Sequence, residues 1–274
     1  PHLMFSGVDA SAAGQIESAF ANAGHMIVSN ARNHRMEECV PLLIPEVNPD
    51  HLGLLGEQKK RKGWAGGVVT NPNCSTIVLA MALAPLRGFG IRSVIVTTLQ
   101  AISGAGYPGV ASYDIVGNVI PVVPGEEDKM EQETQKILGT FIEDRLELHP
   151  MTVSAHTTRV PVIDGHTVTV SVKFEKAPIL DELRAAFEEF TGVPQEQELP
   201  SAPKSPIVYL NAEDRPQPRL DAQRGRGMTV SIGRLRECNV LDIRFVALGH
   251  NTVRGAAGAA VLNAELLYSQ GLLS

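Results

Sequence analysis

Val68-Val69-Thr70-Asn71-Pro72-Asn73-Cys74-Ser75-Thr76-Ile77-Val78-Leu79-Ala80-Met81-Ala82-Leu83-Ala84 is the stretch whose reading decides the fold. Val68-Val69-Thr70 closes a strand and the apolar run from Ile77 to Ala84 reads as a helix, so Cys74 falls in that helix's first turn. Unpaired backbone N–H groups and the positive end of the macrodipole favour an anion there, which predicts a lowered thiol pKa and makes Cys74 the most reactive of the chain's thiols. Two readings of Cys74 stand side by side: an activated nucleophile, or a small buried hydrophobe, which is the usual place of a free cysteine. Its neighbours favour the first. Asn71 and Asn73 bring amides to either side and Ser75 and Thr76 bring hydroxyls, a donor-rich setting for an acyl group that develops negative charge.

Outward from this stretch the pattern alternates. Leu3–Ser6 reads as a strand, residues 10–23 as a helix and Met26–Ser29 as a strand, so the chain opens inside a β/α alternation that runs to about Thr70. A proline-punctuated segment, residues 40–49, interrupts it. Such alternation predicts a parallel sheet covered by helices. Beyond the Cys74 helix come a β-branched strand over 93–98 and a small-residue turn, Ser103-Gly104-Ala105-Gly106. A helix is expected over 126–141, and two strands over 151–172 around Asp164-Gly165, a hairpin-type turn signal. A helix over 181–190, strands over 207–210, 228–232 and 240–248, and a small-residue helix over 255–267 complete the pattern, with loops over 192–204 and 215–226.

The 274 residues favour two domains over one. A net charge of −6 argues against a nucleic-acid surface, and the run Lys59-Lys60-Arg61-Lys62 reads as a solvated loop. No apolar stretch reaches the ~18 residues of a membrane span. Cys39, Cys74 and Cys238 are widely spaced and match no zinc pattern, which fits a reducing, cytoplasmic setting and no metal.

Further positions carry possible chemistry. Gln100 ends a strand just before the Ser103–Gly106 turn, the place where open α/β sheets hold ligands. Arg159 and His166 flank the 160–165 turn and could project into one cleft. Glu133 and Lys136 lie three apart on a helix and share a face. Each has a plainer reading: His166 as a solvated loop histidine, Glu133 and Lys136 as a surface ion pair of little worth, Arg159 as a strand flank.

Taken together, Asn71-Pro72-Asn73-Cys74-Ser75-Thr76, Gln100 before Ser103-Gly104-Ala105-Gly106, Arg159-Val160-Pro161-Val162 leading to Gly165-His166, and Glu133-Thr134-Gln135-Lys136 resemble aspartate-semialdehyde dehydrogenase over the whole chain. The wording of residues 29–36 and 45–48 is similar to the archaeal and fungal branch. The resemblance implies reduction of L-aspartyl 4-phosphate by NADPH to L-aspartate 4-semialdehyde and phosphate, in the biosynthesis of threonine, methionine and, in some organisms, lysine. It implies Cys74 as nucleophile, Gln100 as the residue that orients the acyl intermediate and His166 as general acid/base. It further implies Arg159 as a substrate ligand, Glu133 on the substrate amine, and Lys136 and Arg35 on the phosphate. Asn73 and backbone N–H groups at the helix start are then candidates for the oxyanion. Ser103, Gly104, Ala105, Gly106, Asn251 and Gly255 match positions around the nicotinamide.

The fold so implied is α/β: a partial Rossmann-like dinucleotide-binding domain, residues 1–73 and 249–274, plus an α+β catalytic and dimerisation domain with a mixed sheet, residues 74–248. A homodimer or homotetramer is expected. The family's glycine-rich strand-turn-helix, which cradles the cofactor phosphates, would lie ahead of Pro1, within roughly 90 residues of further chain. A chain starting at Pro1 is therefore expected to bind NADPH poorly. The residues that separate NADPH from NADH belong to that segment. A malonyl-CoA reductase of the same branch and a truncated, non-catalytic oligomer partner are the competing readings.

Overall fold

The computed structural model describes residues 2–273. Three strands, β1 (Leu3–Ser6), β2 (Met26–Ser29) and β3 (Gly67–Thr70), pair in parallel in that order. Parallel neighbours need crossovers, supplied by α1 (Ala10–Asn22) and then by a long loop with α2 (Leu54–Lys62). Asp9 starts α1 by accepting from the Ser11 N–H at 2.9 Å, and Gly63, at φ 68°, ends α2 in the left-handed region. The basic run expected as a loop forms the last turn of α2 instead, where cations offset the negative helix end. Lys60 pairs with Glu57 at 2.6 Å and Lys62 with Glu37 at 2.8 Å.

From β3 the chain enters α3 (Cys74–Leu83), in which every residue from Ser75 to Leu83 is buried. A helix apolar all round must be covered on all sides. Covering it are three strands of a second sheet, α4 (Glu127–Ile137), and a wide turn at Val253–Ala257. Helix α4 was expected to continue to Phe141. Instead Gly139 packs where a Cβ would lie 2.5 Å from the Glu147 carbonyl oxygen, and the chain turns into a hairpin, β5 (Thr140–Ile142) and β6 (Arg145–Glu147).

The second sheet has six strands: β4 (Ile91–Gln100), β7 (Thr152–Arg159), β8 (His166–Phe174), β9 (Ile207–Leu210), β10 (Val230–Glu237) and β11 (Ile243–Gly249), ordered β7-β4-β8-β11-β10-β9. It is mixed, since β4 runs parallel to β7 and β9 parallel to β10 while the remaining pairs are antiparallel. β7 and β8 do not form the hairpin that Asp164-Gly165 suggested. β4 lies between them, and residues 160–165 pass over its end, where the Ile102 N–H donates to the Val162 carbonyl at 2.8 Å. One face of the sheet packs on α3 and α5 (Leu180–Glu188). The other leaves Ile95 and Leu99 48% and 37% exposed.

After β11 comes the wide turn, with Gly255 N–H bonding back to the His250 carbonyl and Ala257 N–H to that of Thr252, each five residues earlier. Helix α6 (Gly258–Ser269) follows and packs on β2 of the first sheet. Arg254 in the turn makes a bidentate pair with Glu46, both contacts 2.8 Å and both side chains buried. Removing one partner of such a pair strands the other charge without water. Glu46→Gln is therefore expected to cost about 3–5 kcal/mol. Urea unfolding checks this, and a loss below ~1 kcal/mol would show that the pair does not anchor the turn.

Candidate active site

Asn73 is the N-cap of α3, its Oδ1 accepting from the N–H groups of Ser75 at 3.0 Å and Thr76 at 3.3 Å. The Ile77 N–H reaches the Asn73 carbonyl, so within the first turn the Cys74 N–H is left without an intrahelical acceptor. Behind the thiol stands the wide turn: a Cβ on Gly255 would lie 2.6 Å from Cys74 Cβ. Gly255 thus backs the nucleophile with bare backbone.

The thiol departs from the expectation. Burial pushes Cys74 up to about 12, reinforced by the Glu126 charge and opposed by Arg35, the Ser75 N–H and Arg159. Resting Cys74 is a neutral thiol, because loss of solvent outweighs the helix end. Cys238 moves the other way, held down by the N–H groups of Leu241 and Val240.

Register brings the remaining groups to one end of the second sheet. Gln100 faces Arg159 across β4 and β7, while Leu99 faces Thr167 and Gly249 faces His166. Arg159 donates to the Ala101 carbonyl at 2.7 Å, and burial lowers its pKa. His166 Nδ1 accepts from the Ala101 N–H at 3.1 Å, so the neutral ring carries its proton on Nε2. Burial, with the charges of Arg159 and His250, takes His166 down to about 3. Nε2 is buried and has no partner among the described residues. His166 is thus a buried, neutral imidazole with an unpartnered Nε2, not a solvated loop residue.

The Ser103–Gly106 turn lies directly on these groups: a Cβ on Gly104 would be 2.8 Å from both Arg159 Nη1 and His166 Cε1. Asn251 fixes the turn, donating to Ser103 Oγ at 2.8 Å and accepting from the Gly165 N–H at 2.9 Å. Ala105 and Gly106 are exposed beside it.

Glu133 and Lys136 are buried and do not pair with each other. Glu133 accepts from Arg35 Nη1 at 3.0 Å and from the Asn73 N–H at 2.7 Å, and burial pushes its carboxyl up against the pull of Arg35. Arg35 also donates to the Asn30 carbonyl at 2.8 Å. Lys136 Nζ donates to the carbonyls of Arg35 and Glu37 at 2.7 Å and of Val40 at 2.9 Å. All three ammonium protons are committed, leaving none for a phosphate. Lys136 holds the loop that carries Arg35. The Asn73 donors expected at an oxyanion are also taken, the N–H by Glu133 and Nδ2 by Glu126 at 2.7 Å.

Glu126, just ahead of α4, was not singled out in the sequence. It also accepts from Gln100 Nε2 at 3.2 Å, so one carboxylate holds the side-chain amides of both Asn73 and Gln100. The only signal was its place at the acidic start of a helix.

Fold and site together define a cysteine-dependent semialdehyde dehydrogenase. The family "Semialdehyde dehydrogenase, dimerisation domain" matches residues 83–254, and "Semialdehyde dehydrogenase, NAD binding domain" matches residues 2–55. The aspartate-semialdehyde dehydrogenase of Archaeoglobus fulgidus is 49% identical over 271 residues, spanning 99% of this chain and 78% of that protein. That of Cryptococcus neoformans is 50% identical over 281 residues, spanning 99% and 77%. The crystal structure of aspartate semialdehyde dehydrogenase with NADP from Candida albicans superposes with a TM-score of 0.89 at 42% identity, covering 99% of this chain and 78% of that one. The Vibrio cholerae enzyme II complexed with ASA gives 0.79 at 27%, covering 98% and 80%. The chain belongs to the aspartate-semialdehyde dehydrogenase family, and its dimerisation domain makes it a homo-oligomer. No helix among the described residues is long and apolar enough to cross a membrane.

Two outcomes follow. Limited iodoacetamide near neutral pH should label Cys238 ahead of Cys74, as peptide mapping would show, since the thiolate is the reacting form. First labelling of Cys74 would contradict its burial-raised pKa. Lys136→Met should raise amide hydrogen exchange across residues 35–40 by at least about tenfold, from the loss of bonds worth ~1 kcal/mol or more. Unchanged exchange would return Lys136 to a ligand-binding role.

Proposed function

We propose that the chain reduces L-aspartyl 4-phosphate to L-aspartate 4-semialdehyde and phosphate with NADPH, through a thioester on Cys74. One observation carries the reading: two buried guanidiniums, Arg35 from the first unit and Arg159 from the second, both act on the Cys74 thiol through their charge. That pair suits a short substrate with an anion at each end, the phosphate toward Arg35 and the α-carboxylate toward Arg159. Residues 1–73 with 249–274 would form the dinucleotide-binding unit and 74–248 the catalytic one, in a cytoplasmic homodimer or homotetramer.

In the acylation step the Cys74 sulfur bonds to the acyl carbon and the carbon–oxygen bond to phosphate breaks. The thiol proton leaves with the phosphate, so charge balances without a separate base. The oxyanion formed in between is held by His166 Nε2–H, unpartnered among the described residues, and by the Cys74 N–H at the start of α3. Gln100, held by Glu126, would orient the acyl group.

The bare backbone of Gly104 against His166, beside the exposed Ala105 and Gly106, fits the nicotinamide end of NADP. Ser103, Gly104, Ala105, Gly106, Asn251 and Gly255 would hold it. When bound it supplies the hydride that converts thioester to aldehyde. In the reverse assay, formation of NADPH from L-aspartate 4-semialdehyde should require phosphate, and Cys74→Ser should lower it roughly a thousandfold or more. Phosphate-independent turnover, full activity of Cys74→Ser, or faster NADPH oxidation with malonyl-CoA than with aspartyl phosphate would overturn the assignment.

A further inference from the structure

We propose that Glu127 and Glu131 are positioning residues: they lock α4 against the free edge of β7, fix the separation of Arg35 and Arg159, and so set the length of acyl chain that the site accepts. The inference rests on the function proposed above, in which those two guanidiniums take the anionic ends of the substrate.

β7 is an edge strand, paired on one side with β4. Along the other side α4 packs against it. There the N–H of Thr157 donates to Glu127 Oε1 at 2.9 Å and that of Ala155 to Glu131 Oε1 at 3.0 Å. Gln135 Nε2 continues the row to the Met151 carbonyl at 2.7 Å. Residues 127, 131 and 135 stand four apart and form one stripe along α4. Four helical residues rise about 6 Å and two extended residues about 6.6 Å, so a helix laid antiparallel along a strand matches its every fourth residue to every second of the strand. The two carboxylates therefore stand where the carbonyls of a further strand would. Ala155 and Thr157 are buried, and a slip of α4 along β7 would leave both N–H groups without partner or water. The joint has one register.

The two anion ligands sit on opposite members of this joint. Arg35 is tied to α4 twice, its Nη1 to Glu133 at 3.0 Å and its backbone carbonyl to Lys136 Nζ at 2.7 Å. Arg159 is the last residue of β7, two beyond Thr157, and its own N–H and carbonyl pair with Ile120 at 2.9 and 3.0 Å. The place of α4 along β7 thus sets the span from one guanidinium to the other. A substrate one methylene longer or shorter has to give up one of its anionic contacts or pull the joint out of register.

ω-Phosphonoalkanoates measure that span without chemistry, because each carries a carboxylate and a phosphonate on a bare methylene chain. Aspartyl phosphate has four atoms between its α-carboxylate carbon and phosphorus, as has the member with four methylenes. Dissociation constants for the members with three, four and five methylenes would be measured by calorimetry in wild type, Glu127→Ala, Glu131→Ala and Glu131→Gln. Wild type should bind the four-methylene member about tenfold or more tighter than its neighbours, the weight of one charge-assisted contact. Each Ala variant should lose most of that preference. Glu131→Gln should keep it, since an amide oxygen still accepts from the Ala155 N–H. A merely structural role would weaken all three members alike and leave their ratio unchanged. Each Ala variant removes one bond of the row, and either alone decides the matter. An unchanged ratio in the Ala variants, its loss in Glu131→Gln as well, or a wild type indifferent to length would overturn the inference while phosphate-dependent turnover stands. A wild type that binds none of the three and turns over no L-aspartate 4-semialdehyde would overturn the proposed function and this inference together.

Discussion

The buried pair between Glu46 and Arg254 is the contact on which the arrangement of the site depends. It joins the irregular segment after β2 to the wide turn after β11, 208 residues apart in sequence. Neither charge can reach water, so the two segments are held together by the penalty each would suffer alone. The turn they fix presents Gly255 to Cys74 and its Ala256 carbonyl to Asn71 Nδ2 at 3.0 Å. The position of the nucleophile is therefore set from behind, by a part of the chain distant in sequence, as well as by its own helix.

In front of the thiol, Asn73 is the hub. Its side-chain oxygen caps α3, its N–H goes to Glu133 and its amide nitrogen to Glu126. Two carboxylates borne by one helix region thus grip the start of another, and each reaches a further residue of the site, Arg35 for Glu133 and Gln100 for Glu126. Buried hydrogen bonds of this kind strengthen one another and hold the segments that carry them in one arrangement. The cost of that rigidity is desolvation, and it shows in the raised thiol of Cys74 and the lowered imidazole of His166.

Much of this was legible in the sequence because it is local. The strand-to-helix turn at residues 70–74 and the first strands follow from spacing and turn chemistry. The end of α4 was not legible: the packing of Gly139 on the Glu147 carbonyl comes from a later strand. Nor was the insertion of β4 between β7 and β8, since a hairpin signal at Asp164-Gly165 says nothing about a third strand. The site residues were recognisable by type, yet the states of Cys74, Lys136 and Glu133 depend on burial and on carbonyls far along the chain, which no local pattern encodes. Glu126 escaped notice because a carboxylate at a helix start is ordinary; only its two amide partners distinguish it.

The carbonyl cage around Lys136 has a consequence for the enzyme's own survival. Burial takes this lysine down to about 8, a range in which an amine is readily nucleophilic. Acyl phosphates transfer their acyl group to free amines without discrimination, so an uncaged lysine near one would be consumed as an amide and the site lost. With Nζ donating to three carbonyl oxygens at 2.7–2.9 Å, the protonated form, which cannot attack, is favoured over the free amine. The cage thereby reserves the activated acyl group for sulfur, whose ester can be undone.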